Sequence, residues 1–214
     1  MKLYLIRHGE TDWNKSNLVQ GWSESDLNAN GQWQAEMLAK RFQQSGERLT
    51  AVYTSPLRRA LQTAMPTAEM AGIRPVEDPD LREMRCGAWE GLNFDELKVI
   101  HPEAFQAWAD SAENRILGGG ESIRDLLERA VGSLGRIVGA HEDGDSVAVF
   151  THGGVIRVLL AHLLGVDLQI ARRCNQDNAS INFFHRRLGI FLLVRWNDIS
   201  HLICGGNGRQ PSRS

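Results

Sequence analysis

Two histidines stand at the ends of apolar runs. Leu3-Tyr4-Leu5-Ile6 stops at Arg7-His8-Gly9, and Val147-Ala148-Val149-Phe150 stops at Thr151-His152-Gly153-Gly154. Runs this short and apolar read as buried strands. In an open α/β sheet, ligands gather beyond the carboxyl ends of the strands. Both imidazoles are therefore expected on one rim, with the Arg7 guanidinium beside them, and Gly9 would let the chain approach a ligand closely. A third run, Ala51-Val52-Tyr53-Thr54, leads into Ser55-Pro56-Leu57-Arg58-Arg59 and brings arginines to the same rim. Fixed cations, imidazoles and the bare N–H groups of a helix beginning near Gly153 and Gly154 suit a dianionic ligand. A nearby cation lowers an imidazole's pKa from its reference of about 6.5, which keeps it neutral and nucleophilic at neutral pH. One Arg-His pair can cap a strand by chance; a repeat of the arrangement argues against chance. Metal-assisted hydrolysis fits less well, because the histidines lack short ligand spacing and flanking arginines repel a cation.

Beyond this pattern, Arg7-His8-Gly9-Glu10-Thr11-x-Trp13-Asn14 resembles the signature of the histidine phosphatase superfamily, phosphoglycerate mutase-like branch. Further elements similar to that family are Ser55-x-Leu57-x-Arg59-Ala60 with Gln62-Thr63, Leu81-x-Glu83 followed by Gly87-x-Trp89-Glu90-Gly91, Gly120-Glu121-Ser122, Thr151-His152-Gly153-Gly154, Asn178-x-Ser180 and His201-Leu202. The resemblance spans residues 2–203. It implies a three-layer α/β/α fold with a mostly parallel sheet, and a phosphomonoesterase that passes through a phosphohistidine on His8. It makes Glu83, rather than Glu90, the general acid and base, His152 the second active-site histidine, and Arg7 and Arg59 the phosphate-binding arginines. Arg58 is then a solvated charge. Asn14, Thr11, Gly21 and Gly153 would complete the phosphate pocket.

Neither a metal nor an organic cofactor is implied for a phosphatase of this kind, and the expected partner is a small phosphorylated metabolite. A cofactor-dependent phosphoglycerate mutase, which uses 2,3-bisphosphoglycerate, shares the whole catalytic set and is the alternative. A non-catalytic phosphate-binding module is a third reading. The interval from Glu83 to Glu121 holds only Arg85, Lys98 and Arg115 as lysine or arginine cations. That is sparse for a mutase, which must grip a second phosphate, so hydrolysis is expected. Trp22, Glu24, Arg82, Arg85 and Arg115 are expected to form the wall that selects the substrate.

The rest of the chain must position these groups. It has 214 residues, 42% hydrophobic and 23% charged, with a net charge of −2. This is enough for one domain with a full core, taken as residues 1–204, and it offers no basic field for nucleic acid. There is no long apolar run that suggests a membrane span and no signal-peptide pattern. Cys86, Cys174 and Cys204 match neither a disulfide framework nor a zinc spacing, which points to reduced thiols and a cytoplasmic setting. Residues 205–214 read as a disordered tail.

Asn28 is an N-cap for a helix that buries Ala35, Leu38, Ala39 and Phe42 and stops near Gly46. Pro66 is expected to kink or interrupt the helix after Pro56. Residues 93–110 are helical with a break at His101-Pro102 and form a lid or wall. Ser122 and Asp125 form a capping box for the next helix. Two strands, Asn178–Phe184 and Ile190–Trp196, make a hairpin around Arg187-Leu188-Gly189.

Overall fold

The computed structural model describes residues 1–111, 116 and 118–203; Arg115, Cys204 and the expected tail fall outside the described residues. Six strands form one sheet in the order β3-β2-β4-β1-β5-β6. They are β1 (Lys2–Arg7), β2 (Ala51–Thr54), β3 (Val76–Glu77), β4 (Ser146–Thr151), β5 (Ile181–Arg187) and β6 (Ile190–Asp198). β1 pairs parallel with β4, and β2 parallel with β4 and β3, whereas β5 runs antiparallel to both β1 and β6. The expected mostly parallel sheet is present. The β1–β4 register places Arg7 opposite Thr151, so the residues that follow, His8 and His152, leave adjacent strands side by side.

Alternation along β1 builds two cores. Leu3 and Leu5 face one side with Val147, Val149 and Phe184, and are covered by α6 (Ile123–Gly139) and α7 (Gly153–Leu164). Tyr4 and Ile6 face the other side with Val52, Ala148 and Phe150, and are covered by α2 (Ala29–Ser45) and α3 (Arg58–Ala71). A period of two in the strand divides its side chains between two helix layers. β4 is buried at all six positions, as a central strand covered on both faces must be.

The remaining helices are α1 (Asp12–Lys15), α4 (Phe94–Ile100), α5 (Pro102–Asp110), α8 (Leu168–Arg172) and α9 (Ser200–Ile203). α4 and α5 break at His101, with Pro102 opening the second, and they carry a third apolar cluster around Trp89, Leu97 and Ile116. Among the described residues no helix is long and apolar enough to cross a membrane.

Two expectations are corrected. Pro66 does not interrupt α3, which runs through it from Arg58 to Ala71. The hairpin strand starts at Ile181 rather than Asn178, because Ala179 has a φ of 57° and Asn178 turns its side chain toward the loop after β1. The hairpin itself turns on Leu188 and Gly189, both with positive φ, the two-residue turn that matches strand twist.

Candidate active site

His8 is buried, and its Nδ1 lies 2.7 Å from the Gly9 carbonyl oxygen. A carbonyl can only accept, so Nδ1 carries the ring proton and Nε2 keeps its lone pair. Burial, then Arg59 and Arg7, hold its pKa well below the ordinary value, so the neutral tautomer persists. The backbone is pinned as well: the His8 carbonyl accepts from Ala179 N–H at 3.1 Å and from Asn178 Nδ2 at 3.0 Å. Gly9 makes a close approach to Gly31 of α2, whose carbonyl oxygen would lie 2.7 Å from an added Cβ.

His152 is fully buried, with its ring centroid 5.2 Å from that of His8. Its Nε2 lies 2.8 Å from Ser55 Oγ, while Nδ1 is buried without a partner. Burial and Arg59 also push its pKa well down. Arg59 is fully buried; Nη1 donates to the Ser23 carbonyl at 2.9 Å and Nη2 to the Gly21 carbonyl at 2.8 Å. Arg7 donates through Nη1 to the Gln176 carbonyl. The Nε atoms of Arg7 and Arg59 are both buried without an acceptor. Native interiors rarely leave such donors unpaired, and here both belong to arginines whose charges act on His8.

Asn14 caps back onto Thr11: Oδ1 accepts from Thr11 N–H at 3.1 Å and from Asn178 Nδ2 at 3.2 Å. The Asn14 NH₂ is left for the cavity, whose wall Asn14 forms. Thr11 is buried as the N-cap of α1 and does not line the cavity, against expectation.

Glu83 meets the N-terminus of α7. Its Oε2 accepts from Gly154 N–H at 3.1 Å, and Oε1 accepts from Met84 N–H at 2.8 Å. The Glu83 carboxylate thus takes the Gly154 N–H at this helix end. Gly153 lies beside Arg7 and Arg157, and Gly154 rather than Gly153 faces the cavity. The Glu83 carbonyl accepts from Trp22 Nε1 and from Arg129 Nη2, each at 2.7 Å. Arg129 also makes a two-point ion pair with Glu121, at 2.8 Å to each oxygen. Glu90 is structural: its Oε1 accepts from Trp22 N–H and Cys86 N–H. It also lies so near Gly21, whose φ is 52°, that a Cβ there would come within 2.2 Å.

A cavity of about 450 Å³ opens among these groups; His152 lies behind it, against His8 and Ser55, and is not part of its lining. Arg7, His8, Asn14, Gly21, Arg59 and Glu83 line it together, as the sequence suggested. Of the expected substrate wall, Arg115 lies outside the described residues and the other four are misplaced. Trp22, Glu24, Arg82 and Arg85 are absent from the lining. Arg82 and Arg85 stack over Trp22 at 5.0 and 5.4 Å, and Glu24 accepts from Arg58 N–H. Arg58 pairs with Glu24 and Asp26 at the surface, as a solvated charge should. The wall is instead Met84, Phe94 and Trp108 together with Arg157 and Arg172. A lone arginine inside the apolar helix Val155–Leu164 was the available signal for Arg157; Arg172 gave none. Cys86 also lines the cavity, but burial and neighbouring glutamates push its thiol pKa up, so it stays protonated.

Such a basket can bind a dianion, present Nε2 of His8 to it and place one carboxyl group beside it. Among the described residues no group of three or more metal-binding side chains gathers here or elsewhere. Comparison with known proteins gives the same direction. The family described as "Histidine phosphatase superfamily (branch 1)" matches residues 3–199. The chain is 39% identical to the metal-independent phosphoserine phosphatase of Arabidopsis thaliana, over 94% of this chain and 83% of that one. It is 35% identical to phosphoglycerate mutase-like protein 4 of the same plant, over 94% and 86%. A mycobacterial glucosyl-3-phosphoglycerate phosphatase, solved in complex with VO3, superposes with a TM-score of 0.82 at 29% identity, covering 92% of this chain and 98% of that one.

Proposed function

The chain belongs to branch 1 of the histidine phosphatase superfamily, and on that premise we propose that it hydrolyses a small phosphomonoester through a phosphohistidine on His8. One observation carries this reading: Arg7 Nε and Arg59 Nε are buried donors without acceptors, and both guanidinium charges act on a histidine whose Nε2 is free. A phosphoryl group supplies the missing acceptors. Its charge spreads over the equatorial oxygens during transfer, so positioned donors contribute most of the catalysis. His8 Nε2 attacks phosphorus, the P–O ester bond breaks, and the departing alkoxide takes a proton from Glu83. Glu83 then deprotonates a water that attacks phosphorus, the N–P bond breaks and inorganic phosphate leaves. Guanidinium charge does here what a metal does elsewhere, so no metal is needed. The reduced cysteines favour a cytoplasmic setting.

The mutase alternative regains one argument, because Arg157 and Arg172 bring to the cavity cations that the Glu83–Glu121 interval lacks. Charge still favours hydrolysis: among the described residues the lining carries four guanidinium groups, too few to neutralise two phosphate dianions and a carboxylate. The test supplies 3-phosphoglycerate with and without 2,3-bisphosphoglycerate and follows both 2-phosphoglycerate and free phosphate, in chelator throughout. Phosphate release is expected, with a phosphoryl mass gain on the His8 peptide after an acid-free quench. Bisphosphate-dependent interconversion with little release, or loss of activity that zinc or magnesium restores, would overturn the proposal.

A further inference from the structure

We propose that Arg157 and Arg172, set beside Trp108, form a second anion subsite that takes a carboxylate on the alcohol part of the phosphomonoester, and so select the substrate. The inference rests on the phosphatase reading above and assigns its substrate class. Arg157 projects from α7, and its Nε donates to the Cys174 carbonyl at 3.0 Å, which fixes the side chain. Its Nη1 lies 3.2 Å from the point a Cβ on Gly153 would occupy, and Arg7 Nε lies 3.6 Å from the same point. The two guanidinium groups therefore flank one spot. Arg172, at the end of α8, donates to the Ala109 carbonyl at 3.2 Å and stacks 4.5 Å over the Trp108 ring. Trp108 Nε1 is itself buried without a partner.

Neither Arg157 nor Arg172 has a carboxylate within ion-pair distance among the described residues, although each lines the cavity. Burial lowers the pKa of both, and Arg157 lowers that of Arg172 further, so the two charges sense each other. Unpaired, half-buried guanidinium groups side by side are unfavourable unless an anion joins them. Among the described residues the lining carries four guanidinium groups and no carboxyl group but Glu83, so a phosphomonoester dianion leaves positive charge unmatched at Arg157 and Arg172. Guanidinium forks match a planar carboxylate at two points.

The test uses pairs of substrates that differ only at the carboxylate: O-phosphoserine against O-phosphoethanolamine, and 3-phosphoglycerate against glycerol 3-phosphate. The wild-type chain should favour the carboxylated member at least about tenfold in kcat/KM, as a charge-assisted hydrogen bond predicts. Arg157→Met and the more exposed Arg172→Gln should each bring that ratio toward one, mainly through KM. A ratio near one in the wild-type chain, or a ratio unchanged in folded variants, would overturn the subsite. Calorimetry of the same pairs on His8→Ala reads the preference without turnover. Preference in binding with no hydrolysis of any pair would uphold the subsite and sink the phosphatase reading; equal binding would sink the subsite alone.

Discussion

Glu83 and Gly154 constrain each other. The Gly154 N–H donates to Oε2 at 3.1 Å, and a Cβ on residue 154 would stand 2.3 Å from Oε1. Glycine is needed here for space, since any side chain would drive the carboxylate from its place at the head of α7.

Gly154→Ala should therefore behave as a mispositioned general acid. General acid catalysis contributes about 10²–10⁴ in rate, so kcat/KM on an alkyl phosphate, which reports transfer to His8, should fall by about 10² or more. In kcat/KM on 4-nitrophenyl phosphate, whose leaving group needs no proton, the loss should be much smaller. Equal losses on both substrates would show that the substitution acts otherwise.

Arg59 and Arg58 are sequence neighbours with opposite surroundings. Arg59→Lys keeps the charge but cannot reach both the Ser23 and Gly21 carbonyls while presenting Nε. It should lower kcat/KM about 10²-fold, the size seen when one oriented donor is lost. Arg58→Ala removes exposed pairs only and should stay within about 3-fold. Steady-state kinetics on one phosphomonoester decides between them.

Arg129 ties the Glu83 segment to α6 through Glu121 and the carbonyls of Asp80, Arg82 and Glu83. Arg129→Met leaves these acceptors unpaired and the Glu121 charge half-buried. Stability should fall by about 3 kcal/mol in urea unfolding, and kcat should fall with it. Adding Glu121→Gln should restore part of the stability and little of the activity.

Acid should unfold the protein in a window set by histidines. Burial holds His8, His152 and His201 below their ordinary pKa, His201 at about 4. In the unfolded chain each takes up a proton below about 6.5. The unfolded state then binds more protons, so stability is full above about pH 6.5 and declines as pH falls toward the folded values. For His201 alone the loss between about 6.5 and about 4 amounts to about 3 kcal/mol. Unfolding followed across this range should show a decline that His201→Leu makes shallower; an unchanged slope would count against it.

The sequence by itself determined the two strand-end histidines, the arginine that follows β2, the glutamate between its arginines, and the helices and strands that carry them. These are local patterns: apolar runs, caps, and a motif read along the chain. Even Arg59 against Arg58 was legible, because the family motif Ser55-x-Leu57-x-Arg59-Ala60 falls on the second of the two. Only the tertiary structure decided what closes the cavity. Arg82 and Arg85 are near Glu83 in sequence, yet they stack over Trp22 outside it. Arg157 and Arg172 are far from Glu83 in sequence, yet they line it, because α7 and α8 pack on the same face of the sheet as Trp108 of α5. The partner of the α7 N-terminus was likewise undecided until the fold brought Glu83 within 3.1 Å of Gly154. Side chains that meet around the cavity do so through packing of distant elements, and no spacing along the chain encodes that distance.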